Sequence, residues 1–224
     1  MREIAFDTET TGLDPNTGHK VIEIGCVELI DKMRTGNNFH AYINPLRDVP
    51  KSSTDVHGLT ESFLADKPIF SDVAKDFLDF IGTDKLVIHN AGFDLKFINF
   101  ELEVCKLPVV EYTRAVDTLV LARTKYPGAK VNLDALCNRY GIDLSRREKH
   151  GALLDAELLA DLYLELLGGR QNAMFLSGKE AAASSEKPLF NKGKKLRERR
   201  KFPASEEERK AHREFLEKNK IPVW

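Results

Sequence analysis

Asp7 and Glu9 in Asp7-Thr-Glu9-Thr-Thr-Gly12, Asp94 in His89-Asn90-Ala-Gly-Phe93-Asp94, and His150 with Asp155 in His150-Gly-Ala-Leu-Leu-Asp155 are the residues whose types and spacing could do chemistry. Gathered in one place, the four carboxylates would hold hard divalent ions, and the imidazole would take up a proton near neutrality. Phosphodiester hydrolysis needs this equipment: a hydroxide-like nucleophile in line with the leaving oxygen, and neutralised charge on the phosphoryl group. Two ions about 3.5–4 Å apart supply both. Oxygen donors without accompanying cysteines predict two Mg²⁺ or Mn²⁺ ions rather than Zn²⁺.

Asp7 and Glu9 lie two apart in a strand-like segment, so the period of two puts both carboxylates on one face and Ile4 and Phe6 on the other. Solvated acids at a strand end are the alternative. Thr10, Thr11 and Gly12 predict a tight turn offering backbone N–H groups and room for a close ligand. Asp155 carries the strongest internal argument. Leu154, Leu158, Leu159, Leu162 and Leu166 form one apolar stripe on a helix beginning near Gly151, and at about 100° per residue Asp155 projects from its middle. An inward carboxylate needs a cation, a hydrogen-bond network or a solvent-lined cleft. A buried salt bridge or a helix N-terminal contact would serve in place of a metal. Asp94 repeats the pattern more weakly, in line with Ile98 and Leu102, and also suits a plain N-terminal acid. His150 would stand about 140° from Asp155 if both were helical. This places it on a mobile loop entering the helix, where it can approach the acids from the solvent side as a general base; an ordinary surface histidine is the other reading.

These side chains need a scaffold. Glu3 to Asp7, Val21 to Leu29 and Asn38 to Ile43 have strand composition bounded by turn residues. Phe70, Val73, Ala74, Phe77, Leu78 and Ile81 recur with helical spacing before a Gly82 stop. Lys85 to His89 predicts a short buried strand, and helices follow over Phe93 to Val104, Asp117 to Tyr126, Asn132 to Tyr140 and Gly151 to Leu167. Strands first, then helices interleaved with strands, predict an α/β fold with a mixed sheet covered by helices. The 224 residues, 42% hydrophobic and 31% charged, suit one well-buried domain with a tail. No apolar run is long enough to cross a bilayer and no signal peptide is evident, so a cytoplasmic protein is expected. Cys26, Cys105 and Cys137 lack metal-ligand spacing and predict reduced core thiols.

The net charge of -1 hides a split. From Gln171 to Trp224 there are 14 Lys+Arg against 8 Asp+Glu, and the first 170 residues carry 20 against 27. An acidic domain is a poor general binder of phosphate backbones, so action on nucleic acid calls for metal ions and a partner that delivers the strand. Beyond Gly168-Gly169, Ser177 to Ser185 is small and polar, and Lys192 to Lys201 carries seven basic residues against one acid. Such segments predict a flexible tail. Ser205 with Glu208 suits the capping box of a short helix.

Asp7-x-Glu9, Asn90-x-x-Phe93-Asp94 and His150-x4-Asp155 resemble, in order, the three motifs of the histidine-bearing DEDD 3′→5′ exonucleases. Gly36-Asn-Asn-Phe-His40, Val56-His57-Gly58, Val87-Ile-His-Asn90, Leu133-Asp-Ala-Leu-Cys137 and His150 to Ala156 are similar to the proofreading subunits of bacterial DNA polymerase III. The resemblance implies a ribonuclease H-like five-stranded mixed sheet flanked by helices. It implies that Asp7, Glu9 and Asp155 bind the metals and substrate, that Asp94 completes the cluster partly through water, and that His150 activates the nucleophile. His57 should contact the terminal nucleotide, while Pro45 to Asp55 matches loosely and carries no assigned contact.

The expected organisation is an exonuclease domain over 1–170, a clamp-binding motif over 171–176, a flexible basic linker over 177–201 and a polymerase-binding segment over 202–224. Gln171, Met174 and Phe175 resemble the anchors by which replication proteins dock on a sliding clamp; Phe202 to Trp224 resembles the family's segment for the polymerase subunit, with Trp224 among its few apolar anchors. The expected partners are thus a DNA 3′ end, the polymerase catalytic subunit, the sliding clamp and a further small core subunit. A 3′ exoribonuclease would use the same acids and metals, but the tail favours DNA. A catalytically idle scaffold is disfavoured because unused clustered acids would repel one another.

Overall fold

The structure, a computed structural model, describes residues 1–147 and 149–168 together with Ser205, Glu206, Arg209, Lys210 and His212. The predicted tail contacts at Gln171, Met174, Phe175 and Trp224, the basic linker and Glu208 lie outside the described residues. The chain divides into two compact units, Met1–Ala181 and Ala182–Trp224. In the second, the Arg209 N–H donates to the Ser205 carbonyl at 3.0 Å, closing one helical turn.

The first unit is built on five strands: β1 (Arg2–Thr10), β2 (Val21–Ile30), β3 (Met33–Tyr42), β4 (Lys85–Ile88) and β5 (Ala115–Asp117). Their order is β3-β2-β1-β4-β5, with β2 antiparallel to β1 and β3, while β1, β4 and β5 run parallel. This is the expected mixed sheet. Its helices are α1 (Lys51–His57), α2 (Glu61–Leu64), α3 (Phe70–Ile81), α4 (Ala91–Val104), α5 (Thr118–Lys125), α6 (Leu133–Tyr140) and α7 (Ala152–Leu166). The spacing expectations for α3 to α7 hold to within two residues. Three elements were not foreseen, since α1 and α2 are short and polar and β5 has only three residues. β3 also begins earlier than expected, in a stretch exposed along most of its length and so without an alternating pattern.

Alternation along β1 sorts the core. Ile4 and Phe6 pack with Ala74, Phe77 and Ile81 of α3 and with Leu95, Ile98 and Leu102 of α4. Ala5 faces the other way, where it joins Val27, Leu29 and Val87 against Ala156, Leu159, Ala160 and Tyr163 of α7. The single leucine stripe expected on α7 is therefore corrected. Its sheet-facing side alternates Ala156 and Ala160 with Leu159 and Tyr163, Leu162 and Leu166 turn toward α5 and α6 instead, and Leu154 is only half-buried. Small residues bring a helix axis close to a sheet. The approach is tightest at Gly25 of β2, where a Cβ would lie 2.3 Å from the Ala152 backbone. A glycine inside a strand marks such a place.

Candidate functional site

β1 delivers Asp7 and Glu9 to one face of the sheet at its C-terminal end, with Gly25 and Glu23 of β2 as their cross-strand partners. The missing side chain at Gly25 lets the first turn of α7 lie against the strand, and Asp155 stands in that turn, 3% exposed. Asp94 arrives from α4, whose start is fixed by Asp117. The Asp117 carboxylate accepts from the Ala91 N–H at 3.1 Å and, as the cap of α5, from Leu119 at 2.8 Å. Asn90, between β4 and α4, takes the left-handed conformation with φ 78°. Asp94 is 3% exposed, and its Oδ1 accepts from both the N–H and the hydroxyl of Thr8, at 3.1 and 2.7 Å. That carboxylate therefore grips β1 between Asp7 and Glu9.

Glu9, His150 and Asp155 each offer a ligand atom within 4.8 Å of the other two, an arrangement able to hold a metal ion. Asp7 and Asp94 stand outside that trio but act on it electrostatically. Burial first, and then the charges of Asp94, Asp155 and Glu9, push the Asp7 carboxyl well above the usual range. Burial together with Asp155, Glu23 and Asp94 pushes Glu9 up to about 8. Burial raises Asp94 too, against the pull of the Thr8 hydrogen bonds. Mutual repulsion among buried acids with raised pKa marks a place that favours a bound cation. The donors are carboxylate oxygens and one imidazole, so the set fits a divalent metal ion.

Asp155 differs from its neighbours. Burial works to raise it, but the hydrogen bonds and charges of Arg147 and His150 outweigh burial and hold it below the usual carboxylate range. Arg147 Nε and Nη2 donate to its two oxygens at 2.6 Å each, so the salt bridge anticipated as one partner for an inward acid is present. The same guanidinium also bonds Asp134 of α6.

His150 lies just before α7, as expected. Its side chain is 46% exposed with Nδ1 3.4 Å from Asp155 Oδ2, and its backbone N–H donates to the Val56 carbonyl at 3.2 Å. The neighbouring cleft, about 530 Å³, is lined by Thr8 to Asp14, Ser53, Val56, His57 and Phe93 among others. Ser53 donates to the Thr11 carbonyl at 2.9 Å and docks α1 on the end of β1. His57 is 5% exposed, and its Nδ1 accepts the Leu59 N–H at 3.0 Å, which leaves a neutral ring's proton on Nε2. Nε2 has no hydrogen-bond partner among the described residues. Burial and the charges of Lys149 and His150 hold His57 below the usual histidine value, against Glu23, and favour the neutral ring.

The turn expected at Thr10 to Gly12 needs correcting. Thr10 still belongs to β1, the Thr11 N–H is taken by the Lys20 carbonyl at 2.9 Å, and the space beside Gly12 is filled by the His19 ring. Sequence reasoning also missed Arg147, Glu23 and the α1 wall of the cleft apart from His57. Only Gly25, a glycine inside a strand, carried a readable signal. Among the described residues, Cys26 and Cys137 are buried free thiols and Cys105 is half-buried, in keeping with reduced core cysteines; no helix is long and apolar enough to cross a membrane.

The family model described as an exonuclease matches residues 4–163. The DNA polymerase III subunit epsilon of Rickettsia felis is 48% identical over 219 residues, covering 96% of this chain and 96% of the relative. Among solved structures, exonuclease X in complex with 5′ overhanging duplex DNA is 29% identical with a TM-score of 0.58, over 75% of this chain and 90% of that one. The nuclease domain of 3′hExo, a DEDDh family member bound to rAMP, has a TM-score of 0.63 at 19% identity, over 75% of this chain and 92% of that one. That last likeness speaks for the fold alone.

Proposed function

We propose, since the chain belongs to the exonuclease family and within it to the epsilon subunits of DNA polymerase III, that it removes mispaired nucleotides from DNA 3′ ends by two-metal hydrolysis as a subunit of the replicative polymerase. The observation that carries the chemistry is the cluster of buried acids around Glu9, in which burial and the neighbouring carboxylates raise Asp7 and Glu9 although Arg147 stands beside Asp155. Asp7, Glu9 and Asp155 would hold the ions, with Asp94 completing the set. When bound, the two ions neutralise charge on the phosphoryl group and lower the pKa of the attacking water. His150, open to solvent beside Asp155, takes the proton from that water. The buried Nε2–H of His57 donates to an oxygen of the terminal nucleotide, a partner it lacks among the described residues. Leu13, Val56 and Phe93 give the cleft the apolar surface to hold the base and sugar.

Two assignments concern the tail beyond the described residues. Gln171, Met174 and Phe175 dock on the sliding clamp, and 202–224, ending in Trp224, holds the polymerase subunit. The test is turnover of a 3′-mismatched DNA oligonucleotide beside an RNA of the same sequence, with Mg²⁺ or Mn²⁺ and with chelator. Nucleoside monophosphates should appear from DNA only when metal is present, and be lost with Asp7→Ala or Asp155→Ala. With His150→Ala the rate should fall by about 10²–10⁴-fold. Preferred cleavage of the RNA would move the assignment to an exoribonuclease, and full activity of the Asp7→Ala chain would remove the metal site.

A further inference from the structure

Arg147 sits inside the candidate site without belonging to any of its motifs. Its side chain is only 7% exposed, although it comes from the irregular segment between α6 and α7. Nε and Nη2 form a fork on the two Asp155 oxygens at 2.6 Å each, Nη1 bonds Asp134, and Nη2 stands 2.8 Å from His150 Nδ1. Asp155 and His150 are two of the three residues whose atoms converge to hold a metal. Nη2 lies within hydrogen-bonding distance of both, so an ion held by Asp155 competes with the guanidinium for the carboxylate, and its arrival would draw Nη2 off His150. A guanidinium donates and cannot accept. Nδ1 is therefore the acceptor in this contact, and the basic lone pair of a neutral His150 ring is capped. Asp134, by contrast, is 45% exposed, lies in the first turn of α6 and has no other part in the cluster.

We propose that Arg147 is a positioning residue: it holds Asp155 and His150 together while the site is free of metal, then shifts its hold to Asp134 when a divalent ion loads. The arrangement rests on the reading of this cluster as a metal centre. It keeps the buried Asp155 charge paired at all times, since a second buried cation beside the same oxygens would be repelled. It also couples loading to the release of the His150 lone pair. Metal binding and the freeing of the base thereby become one event.

The experiment uses the full chain, stripped of metal, titrated with Mn²⁺ alone and followed by the electron paramagnetic resonance of the free ion. Arg147→Gln should bind Mn²⁺ tighter by about tenfold or more, because the resident charge no longer competes. Its metal-free melting temperature should fall at the same time, because Asp155 loses its partner. Arg147→Lys, which keeps the charge without the fork, should lie between wild type and Arg147→Gln. Asp134→Asn removes the place to which the guanidinium withdraws and should weaken binding by severalfold. A residue needed only for folding would lower stability and affinity together, so equal or weaker binding by Arg147→Gln overturns the proposal. Should that variant not fold, Asp134→Asn decides, and unchanged or tighter binding there overturns it. If wild type and variants alike fail to bind Mn²⁺, the metal reading falls and takes the proposal with it. Binding by wild type without the predicted ordering defeats the proposal alone.

Discussion

Gly25→Ala tests how the site is positioned, because the residue touches no substrate. The added Cβ would lie 2.3 Å from the carbonyl carbon and oxygen of Ala152 and from the Leu153 nitrogen, where ordinary contact begins at 3.4 Å. The shortfall is about 1.1 Å, and backbone on both sides meets it, so no flexible side chain can give way. The first turn of α7 has to lift off the sheet by about that distance, carrying Asp155 with it. Overpacking of this kind costs about 2 kcal/mol, which lowers Tm by roughly 4–8 °C in a domain of this size. The effect on rate is larger in proportion, since a displacement of about 1 Å in a reacting group costs on the order of 10²-fold. The assay pairs calorimetry with single-turnover cleavage of a 3′-mismatched oligonucleotide at saturating Mg²⁺. A Gly25→Ala chain that cleaves within about twofold of wild type would falsify the claim that contact between β2 and α7 sets the position of Asp155.

Three further outcomes follow from the geometry. Glu9 is held at about 8 against an ordinary 4.5, with Asp7 and Asp94 raised in the same direction. The metal-free folded chain therefore keeps protons that the unfolded chain gives up in that window; the stability they contribute is full below about pH 4.5 and lost as the pH rises through 8. Denaturant titrations in chelator should show a loss on the order of a few kcal/mol between about pH 6 and pH 8.5, and a midpoint rising across that range would contradict the raised pKa values. Asp155 is shifted downward, so the stability it contributes is present above its ordinary value of 3.8 and is lost only as the pH falls below that, outside this window. His57→Leu should raise KM for single-stranded DNA about tenfold, as expected for loss of one buried donor to substrate, and unchanged KM and kcat would place the nucleotide elsewhere. Truncation after Gly169 should leave hydrolysis of short single strands nearly intact while abolishing co-purification with the polymerase subunit; retained association would put that interface on the folded domain.

The parts of the site that follow from periodicity were legible in the sequence. A period of two placed Asp7 and Glu9 together on β1, and a helical period turned Asp155 and Asp94 inward. Helix boundaries were legible where caps were strong, as with Asp117 before α5 and Asn132 before α6. The remainder depended on contacts between distant segments, which no local pattern encodes. Arg147 comes from an irregular segment and has the composition of any surface arginine, so its fork on Asp155 exists only once α6 and α7 are packed. The α1 wall is presented by Ser52, Ser53, Val56 and His57 of a helix too polar and too short to show a hydrophobic face. Glu23 is buried by its register opposite Glu9, although it resembles other strand glutamates in sequence.

The hydrogen bond from the His150 N–H to the Val56 carbonyl joins the segment before α7 to the helix that walls the cleft. Its consequence concerns timing. Under the proposed mechanism, a strand end that pushed Val56 aside would tug on the residue assigned to deprotonate water, linking seating to scission by a lever one peptide long. Exchange of the His150 amide with deuterium, with and without a bound nucleotide, reads that lever directly, and identical rates would show it to be slack. An ill-fitting end would then be discriminated by how long the base stays in place, a form of selectivity that requires no contact with the mismatch itself.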